Sequence, residues 1–322
     1  MIRRTIVPVI ALLGIPALGP HAQAQASAQA PSSPPAASAP PSSREENERL
    51  AKAGDPVAMR RMGLLAELER DPELAVRWYT SAAELGDASA MTRLGYLLAN
   101  GIGATKNEET AVGWYRKAAE AGDAEAMSNL GLMHAQGRGV AQDDAEAVRW
   151  YRRSSDKGHA GGMFNLASML ARGRGDAGEE REALREAVLW YTRAAELGHA
   201  ASMNNLGEMH ANGRGTPEDD ALAATWYRRA AEAGNPEAMC NLTLALARGQ
   251  GVARDHAEAL FWCVLAESLA EGETRTGAQR LVARLSSQVP GETLDAARRR
   301  ATEWIAKRAT QQPEPPAGAA SR

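Results

Sequence analysis

The chain has 322 residues, of which 44% are hydrophobic and 24% are charged, and its formal net charge at pH 7 is −3. This composition is typical of a soluble folded protein, and it lacks the basic excess with which proteins bind the phosphate backbone of nucleic acids. We therefore expect no nucleic-acid partner.

Residues 1–26 have the layout of a secretory signal peptide. Two arginines precede a largely apolar segment, 5–18, and two overlapping Ala-Gln-Ala motifs follow, where cleavage leaves Gln25 or Ser27 as the first residue. The apolar segment is too short and too interrupted for a permanent membrane helix, which needs about 20 apolar residues. Arginine far outnumbers lysine, as in proteins from GC-rich bacterial genomes. We predict export to the periplasm and no stable membrane anchor after cleavage.

Residues 27–44 are predicted to be a disordered linker, because they consist almost entirely of Ala, Pro, Ser and Gln and contain no large apolar side chain to bury. Residues 311–322 have a similar composition and are predicted to be a disordered tail. The remaining segment, 45–310, is predicted to be the folded part of the chain.

A Trp-Tyr pair recurs through this folded part at intervals of 36 or 40 residues. Self-similarity at such a period is typical of a solenoid, in which each unit buries its apolar face against its neighbours. A Trp-Cys pair closes the series. The six positions begin at Trp78, Trp114, Trp150, Trp190, Trp226 and Trp262.

Each unit is predicted to contain two helices. In the third unit, apolar spacings of three, four and seven indicate helices over 124–136 and from Asp143 to just before Gly158, and no segment alternates like a strand. Asp or Asn precedes most of these helices as an N-cap, and His159 and His199 stand at that position in two units. A glycine stands directly before each unit, where a left-handed C-terminal cap of the preceding helix is wanted, at positions 54, 86, 122, 158, 198 and 234.

A glycine inside the first helix recurs between units and indicates close packing, because glycine there costs about 1 kcal/mol relative to alanine. We expect the Trp-Tyr pair of the second helix to cover this spot, and we expect the tryptophans to be core between helices. The glycines are Gly63, Gly95, Gly131 and Gly207, with Ala167 and Thr243 in the remaining two units.

The sequences "AMSNLGLMHAQGRGV", from Ala126, and "WYRRAAEAGNPEAM", from Trp226, closely resemble the Sel-one-like repeat (SLR) family, a relative of tetratricopeptide repeats. The resemblance extends from residue 49 to about 270 and implies an all-α fold, a right-handed superhelical solenoid of helix-turn-helix repeats. The first unit departs from the pattern because it lacks the Gly-x-Gly loop, and the fourth carries four extra residues. The ending "LDAARRRATEWIAKRA" is predicted to be a capping helix with Trp304 on its apolar side.

No motif in the chain points to catalysis, a cofactor or a metal. The five Gly-x-Gly loops follow helices and lack the Gly-Lys-Ser/Thr ending of a phosphate loop, so they are interpreted as turns that end helices. Ser154 and Lys157 fit the Ser-x-x-Lys motif of penicillin-binding enzymes, but the companion motifs are missing. The histidines and cysteines form no metal-binding grouping. We therefore expect a protein without enzymatic activity, cofactor or metal.

Cys240 and Cys263 lie at similar heights on the two predicted helices of the sixth unit. In an oxidising compartment such a pair can form a disulfide. The alternative is two unpaired thiols, because height alone does not fix the side-chain direction that a disulfide needs. Both interpretations stay open.

One position of the first helix is the candidate for partner binding. It lies about 200° on a helical wheel from a recurring methionine, so we expect its side chains to turn away from the buried face. The resemblance to tetratricopeptide proteins places the first helices in a concave groove, where asparagine amides suit the backbone of a bound protein or peptide. The open alternative is that each asparagine bonds within the solenoid. The candidates are Arg93, Asn129, Asn165, Asn205 and Asn241.

The resemblance implies a non-enzymatic scaffold or regulator of protein interactions in the periplasm. An alternative function is the binding of a cell-wall or exported polysaccharide. A penicillin-interactive protein or a cell-wall hydrolase is the least favoured, since the companion motifs of that chemistry are absent.

Overall fold

A computed structural model describes residues 43–175 and 179–311, and every regular element within these ranges is an α-helix. The predicted signal peptide (1–26), nearly all of the predicted linker and the predicted tail from residue 312 onward lie outside the described residues. Helix α1 (Arg44–Lys52) begins at the last residue that was assigned to the linker, with the Ser43 hydroxyl as its N-cap.

Six helix pairs follow α1. We call the first helix of each pair the A helix and the second the B helix. The A helices are α2 (Pro56–Leu68), α4 (Ala88–Asn100), α6 (Ala124–Gln136), α8 (Ala160–Ala171), α10 (Ala200–Ala211) and α12 (Pro236–Arg248). The B helices are α3 (Pro72–Glu84), α5 (Glu108–Glu120), α7 (Asp144–Asp156), α9 (Glu180–Glu196), α11 (Asp220–Glu232) and α13 (His256–Leu269). Helices α14 (Gly272–Ser286) and α15 (Gly291–Gln311) complete the described part.

The described residues form two compact units, each of which contains several repeats. The first unit is 43–175 and the second unit is 179–311, and each helix pair is called a repeat from here on. In the first unit each helix packs on the next one along the chain, and the A helices α6 and α8 also touch. In the second unit α9 to α13 pack in the same serial way, and α13 contacts both α14 and α15. The predicted all-α repeat solenoid is confirmed.

The predicted caps account for the ends of the helices. The Asp123 carboxylate accepts the Ala126 N–H at 2.8 Å, and the Asp143 carboxylate accepts the Glu146 N–H at 2.9 Å. His159 and His199 use Nδ1 for the same purpose. The glycines that follow α1 and the first five B helices adopt the left-handed conformation, with φ between 83° and 94°, at Gly54, Gly86, Gly122, Gly158, Gly198 and Gly234.

The glycine inside an A helix is covered by the tyrosine of the Trp-Tyr pair. A Cβ atom at Gly131 would lie 2.8 Å from two ring atoms of Tyr151, which is only 2% exposed. Gly63, Gly95 and Gly207 stand equally close to the tyrosines of their own B helices. The prediction of close packing at this glycine is confirmed, and of the Trp-Tyr pair it is the tyrosine that makes the closest contact.

The tryptophan points to another side of the B helix, because neighbouring residues of a helix are separated by about 100°. The prediction that the tryptophans are core is confirmed for Trp150, Trp190 and Trp262, which are buried. The other three, Trp78, Trp114 and Trp226, are half-buried, and Trp78 and Trp114 pack against the clusters of buried core residues. A basic side chain three residues later lies over four of the rings, at 4.3 to 4.6 Å from the centroid, on Trp114, Trp150, Trp190 and Trp226.

The Gly-x-Gly loops end A helices, as predicted, with φ between 61° and 77° at all ten glycines. The second glycine also packs against the preceding repeat, which sequence reasoning missed. A Cβ atom at Gly139 would lie 2.4 Å from the backbone of Glu108, the first residue of the preceding B helix. Gly251 meets Asp220 in the same way, at 2.0 Å. These loops therefore join consecutive repeats.

The C-terminal helices close the second unit. The predicted capping helix lies within α15, whereas α14 was not predicted. The Arg308 guanidinium donates to the carbonyls of Glu232 and Ala233, at 3.0 and 2.7 Å, and so caps the end of α11. It also lies over the ring of Trp304, which is half-buried.

Candidate functional site

The asparagines that were predicted to face a partner lie between helices. In the first unit Asn129 is 4% exposed, and Asn165 is half-buried with its Nδ2 donating to Ser128 Oγ at 3.2 Å. The Nδ2 atom of Asn129 is buried and has no hydrogen-bond partner among the described residues. The expectation that this position turns away from the buried face is therefore wrong for Asn129.

In the second unit Asn205 Nδ2 donates to Tyr191 Oη at 3.0 Å. Asn241 is 8% exposed, and its Nδ2 donates to Asn204 Oδ1 at 3.0 Å and to Glu208 Oε1 at 3.3 Å. The expectation of an exposed side chain is wrong for Asn241 too. The helical wheel assumed one buried face, whereas an A helix also has a neighbouring A helix beside it. These bonds favour the structural role that the sequence left open.

Arg93 occupies the same position in the second repeat and joins a small polar cluster. Its Nη1 lies 3.9 Å from Glu67 Oε2 of the preceding A helix. Glu67 also accepts the hydroxyl hydrogen of Tyr79 at 3.0 Å. Arg93 is half-buried, so part of its side chain remains on the surface.

A row of partly exposed side chains lies beside these positions on the A helices of the first unit. The three members on α4 are spaced three and four residues apart and the two on α8 three residues apart, which places them on one face of each helix, and α6 contributes one side chain. We call this row the A-helix surface; it consists of Arg93, Tyr96, Asn100, Gln136, Asn165 and Ser168. Its groups are three amides, two hydroxyls, a guanidinium and one aromatic ring, a mixture suited to polar contacts with a protein partner.

Cys240 and Cys263 are free thiols in this structure. Cys263 is fully buried, and its thiol donates to the Leu260 carbonyl. Burial raises the pKa of Cys240 to about 12 and raises the pKa of Cys263 as well, with a further contribution from the nearby Cys240. Such thiols react slowly because little thiolate is present at neutral pH.

The serine of the Ser-x-x-Lys motif is inaccessible to a substrate. Ser154 is fully buried, and its hydroxyl donates to the Ala124 carbonyl at 2.6 Å. The neighbouring Ser155 is 2% exposed and donates to the Tyr151 carbonyl. The Ser154 hydroxyl therefore links α7 to α6, whereas the Ser155 hydroxyl bonds within α7.

Two loop arginines link consecutive repeats. Arg138 Nε donates to Glu108 Oε1 at 2.7 Å, and Arg138 Nη2 donates to the Ala99 carbonyl at 3.0 Å. Arg174 makes the same contacts one repeat later. Its Nε and Nη2 bond the two oxygens of Asp144 at 2.9 and 2.6 Å, and Nη2 also donates to the Ala135 carbonyl at 3.1 Å.

A cavity lies at the corresponding place between the fifth and sixth repeats. Its volume is about 40 Å³, more than the roughly 10–15 Å³ that one water molecule requires. Asn212 is exposed and Asp220 half-buried, so the cavity reaches the surface. We call it the Asp220 cavity; its lining is Ala211, Asn212, Asp220, Ala223, Ala224, Tyr227, Asn241, Ala245 and Gln250.

Two further findings concern the described ranges only. Within 43–175 and 179–311, no group of three or more His, Cys, Asp or Glu side chains has the arrangement of a metal site. No helix in the same ranges combines the length and the apolar character that a membrane span requires.

The Sel1 repeat family matches six consecutive segments of the chain: 56–87, 88–123, 124–159, 160–199, 200–235 and 236–269. Each segment begins at the first residue of an A helix and contains the B helix that follows. The chain therefore belongs to the Sel1 repeat family, which confirms the resemblance seen in the sequence.

Solved structures with the same repeat are similar to this chain. A Sel1 repeat protein from Oxalobacter formigenes is 29% identical, with a TM-score of 0.63, and the match covers 71% of this chain and 100% of that one. A Sel1 repeat protein from Klebsiella pneumoniae is 22% identical, with 65% and 97% covered and a TM-score of 0.42. A protective antigen of uropathogenic Escherichia coli with an SLR fold is 24% identical, with 87% and 75% covered and a TM-score of 0.37. No curated protein matches the chain significantly.

Proposed function

We propose that this protein is an exported scaffold that binds a protein or peptide partner along the A-helix surface. Sel1 repeat proteins generally act as protein-interaction scaffolds and are typically non-enzymatic. The observation that carries the proposal is the row of partly exposed polar side chains on successive A helices. A row that crosses several repeats offers an extended partner many spaced contacts on a rigid support.

Export to the periplasm is supported by the sequence of residues 1–26, with its arginine pair, apolar segment and small-residue cleavage motifs. The mature chain should begin at Gln25 or Ser27. N-terminal sequencing of protein from the native host measures this directly. An intact Met1 on protein from the soluble cytoplasm would contradict export.

Binding of a polysaccharide is the less favoured function. Sugar rings stack on open aromatic faces, but a Lys or Arg side chain already lies over four of the tryptophan rings. A penicillin-interactive enzyme is less favoured still, because Ser154 is fully buried. The scaffold needs neither an open ring nor an accessible nucleophile.

The test compares two faces of the same unit. Tyr96→Ala changes the A-helix surface, whereas Arg116→Ala changes an exposed residue of the B helix α5. We expect Tyr96→Ala to weaken capture of a periplasmic protein by about tenfold, as loss of 1.4 kcal/mol would, with little change for Arg116→Ala. Equal capture by wild type and both variants, or capture of a glycan and no protein, would contradict the proposal.

A further inference from the structure

We propose that the Asp220 cavity is a binding site for the guanidinium group of an arginine side chain on a protein partner. This inference rests on the proposed scaffold function and adds the chemistry of one contact. Two joints between repeats in the first unit hold a guanidinium, and the joint at Asp220 lacks one.

We call the contact between the loop after an A helix and the preceding repeat a joint. Two joints in the first unit show how this contact holds a guanidinium. At each, a loop arginine bonds a carboxylate at the first residue of the preceding B helix and a carbonyl near the end of the preceding A helix. Arg174 bonds Asp144 through two nitrogens and bonds the Ala135 carbonyl through Nη2. Arg138 bonds Glu108 and the Ala99 carbonyl in the same way. This chain therefore contains two examples of how the joint holds a guanidinium.

The joint between the fifth and sixth repeats keeps the acceptors but lacks the arginine. Asp220 and Ala211 occupy the positions of Asp144 and Ala135. Gln250 replaces the arginine, and its Oε1 accepts a long bond from Arg248 Nη1 at 3.5 Å. No hydrogen bond or ion pair joins the Asp220 side chain to any residue of the described ranges. The loop still joins the repeats through Gly251, so the backbone contact is kept although the guanidinium has been lost.

Two further replacements enlarge the space. Ala245 stands where the third and fourth repeats have Met133 and Met169, both buried. Ala224 stands where earlier B helices have Val112 and Val148, which are also buried. All three changes remove side-chain volume at one joint, and the result is a cavity of about 40 Å³.

The lining suits arginine better than other cations. Ala211, Ala223 and Ala224 offer an apolar wall for the aliphatic stem, while the Asp220 carboxylate takes the charged end. A guanidinium bonds a carboxylate through two nitrogens, as Arg174 does with Asp144, and it stacks on aromatic rings such as that of Tyr227. An ammonium group lacks this forked geometry. The cavity therefore favours arginine over lysine.

The binding experiment uses the folded full chain and small probes followed by NMR. N-acetyl-arginine amide should give saturable shifts at the backbone amides of Ala211, Asp220 and Asn241. N-acetyl-lysine amide should bind at least about fivefold more weakly, because it cannot form the forked contact. N-acetyl-citrulline amide, which has no charge, should give no saturable shift. Tighter binding of free L-arginine than of its capped amide would contradict a peptide side chain as the ligand.

Variants decide whether the cavity is the site. Gln250→Arg supplies the guanidinium from within, so it should reduce probe affinity by about tenfold or more without lowering the melting temperature. Asp220→Asn removes the acceptor charge and should reduce affinity by a similar factor. The matched control is Asp144→Asn, whose joint is already filled by Arg174; its probe affinity should stay within about twofold of wild type.

Absence of saturable shifts at these amides in the wild type would overturn the inference. Unchanged affinity in a folded Gln250→Arg protein would do the same, and if that variant fails to fold, unchanged affinity in Asp220→Asn decides the matter. Guanidinium binding without any captured protein would contradict the scaffold function alone. A captured protein whose affinity is unaffected by both variants would contradict the arginine site alone.

Discussion

The contact between Gly131 and Tyr151 reverses the usual effect of replacing a helical glycine with alanine. In an open helix this replacement stabilises by about 1 kcal/mol. At Gly131 the new Cβ would lie 2.8 Å from Cδ1 and Cε1 of Tyr151 and 3.2 Å from the Ala147 carbonyl oxygen. Because the Tyr151 ring is enclosed, we expect this overlap to cost about 2–3 kcal/mol of stability, the upper part of the range for overpacked cores. The free energy of unfolding should therefore fall by about 1–2 kcal/mol.

The matched control is Gly113→Ala in the B helix α5. A Cβ atom there has no heavy atom within 4 Å, so this variant should gain about 1 kcal/mol. Urea unfolding followed by circular dichroism measures both changes, and 1 kcal/mol corresponds to about 2–4 °C in melting temperature. A Gly131→Ala protein as stable as Gly113→Ala would refute the packing account. Partial recovery in the Gly131→Ala, Tyr151→Cys double variant would support it, because the sixth repeat pairs Thr243 with Cys263.

Three other outcomes follow from the caps, the joints and the cysteines. Burial lowers the pKa of His159, and its Nδ1 must stay unprotonated to accept the hydrogen bond that caps α8. The stability that this cap contributes above pH 6.5 should therefore be lost as the pH falls toward the folded-state pKa. Melting curves at pH 7.5 and 5 should show a smaller loss for His159→Asn, and an equal loss would count against this cap. Arg174→Gln should lower the free energy of unfolding, measured in urea, by about 1–2 kcal/mol, because the partly exposed ion pair with Asp144 and the hydrogen bond to the Ala135 carbonyl are lost. An unchanged free energy of unfolding would mean that this joint adds no stability. Labelling of the unreduced, denatured chain decides between the two open interpretations of Cys240 and Cys263: no free thiol on the exported protein would mean a bridge, and two labelled thiols would exclude it.

Local features of the fold were predictable because they depend on neighbours in sequence. The helix over 124–136 and the N-caps Asp123 and Asp143 follow from helical spacing and from side chains that accept nearby N–H groups. The close packing of a bulky side chain on the glycine of the A helix was also predictable, because a glycine that recurs inside a helix costs stability and therefore indicates a packing constraint. Repetition made each of these signals stronger than a single copy would be.

Contacts between repeats were less predictable because they join residues about 30 to 40 positions apart. Asn165 and Asn241 were expected at the surface, yet they bond the preceding A helix. The contact of Gly139 with Glu108 is equally remote in sequence. The Asp220 cavity left one signal in the sequence, the replacement of a loop arginine by Gln250, but its meaning depends on knowing what the arginine touches.

Photocrosslinking in living cells tests the central claim, that a protein partner lies along the A-helix surface, most directly. A photoreactive phenylalanine analogue at position 96 lies on this surface, and the same analogue at position 116 lies on an exposed part of α5. We expect a discrete crosslinked protein from position 96 and none from position 116. No crosslink at 96, or the same product from both positions, would contradict the claim.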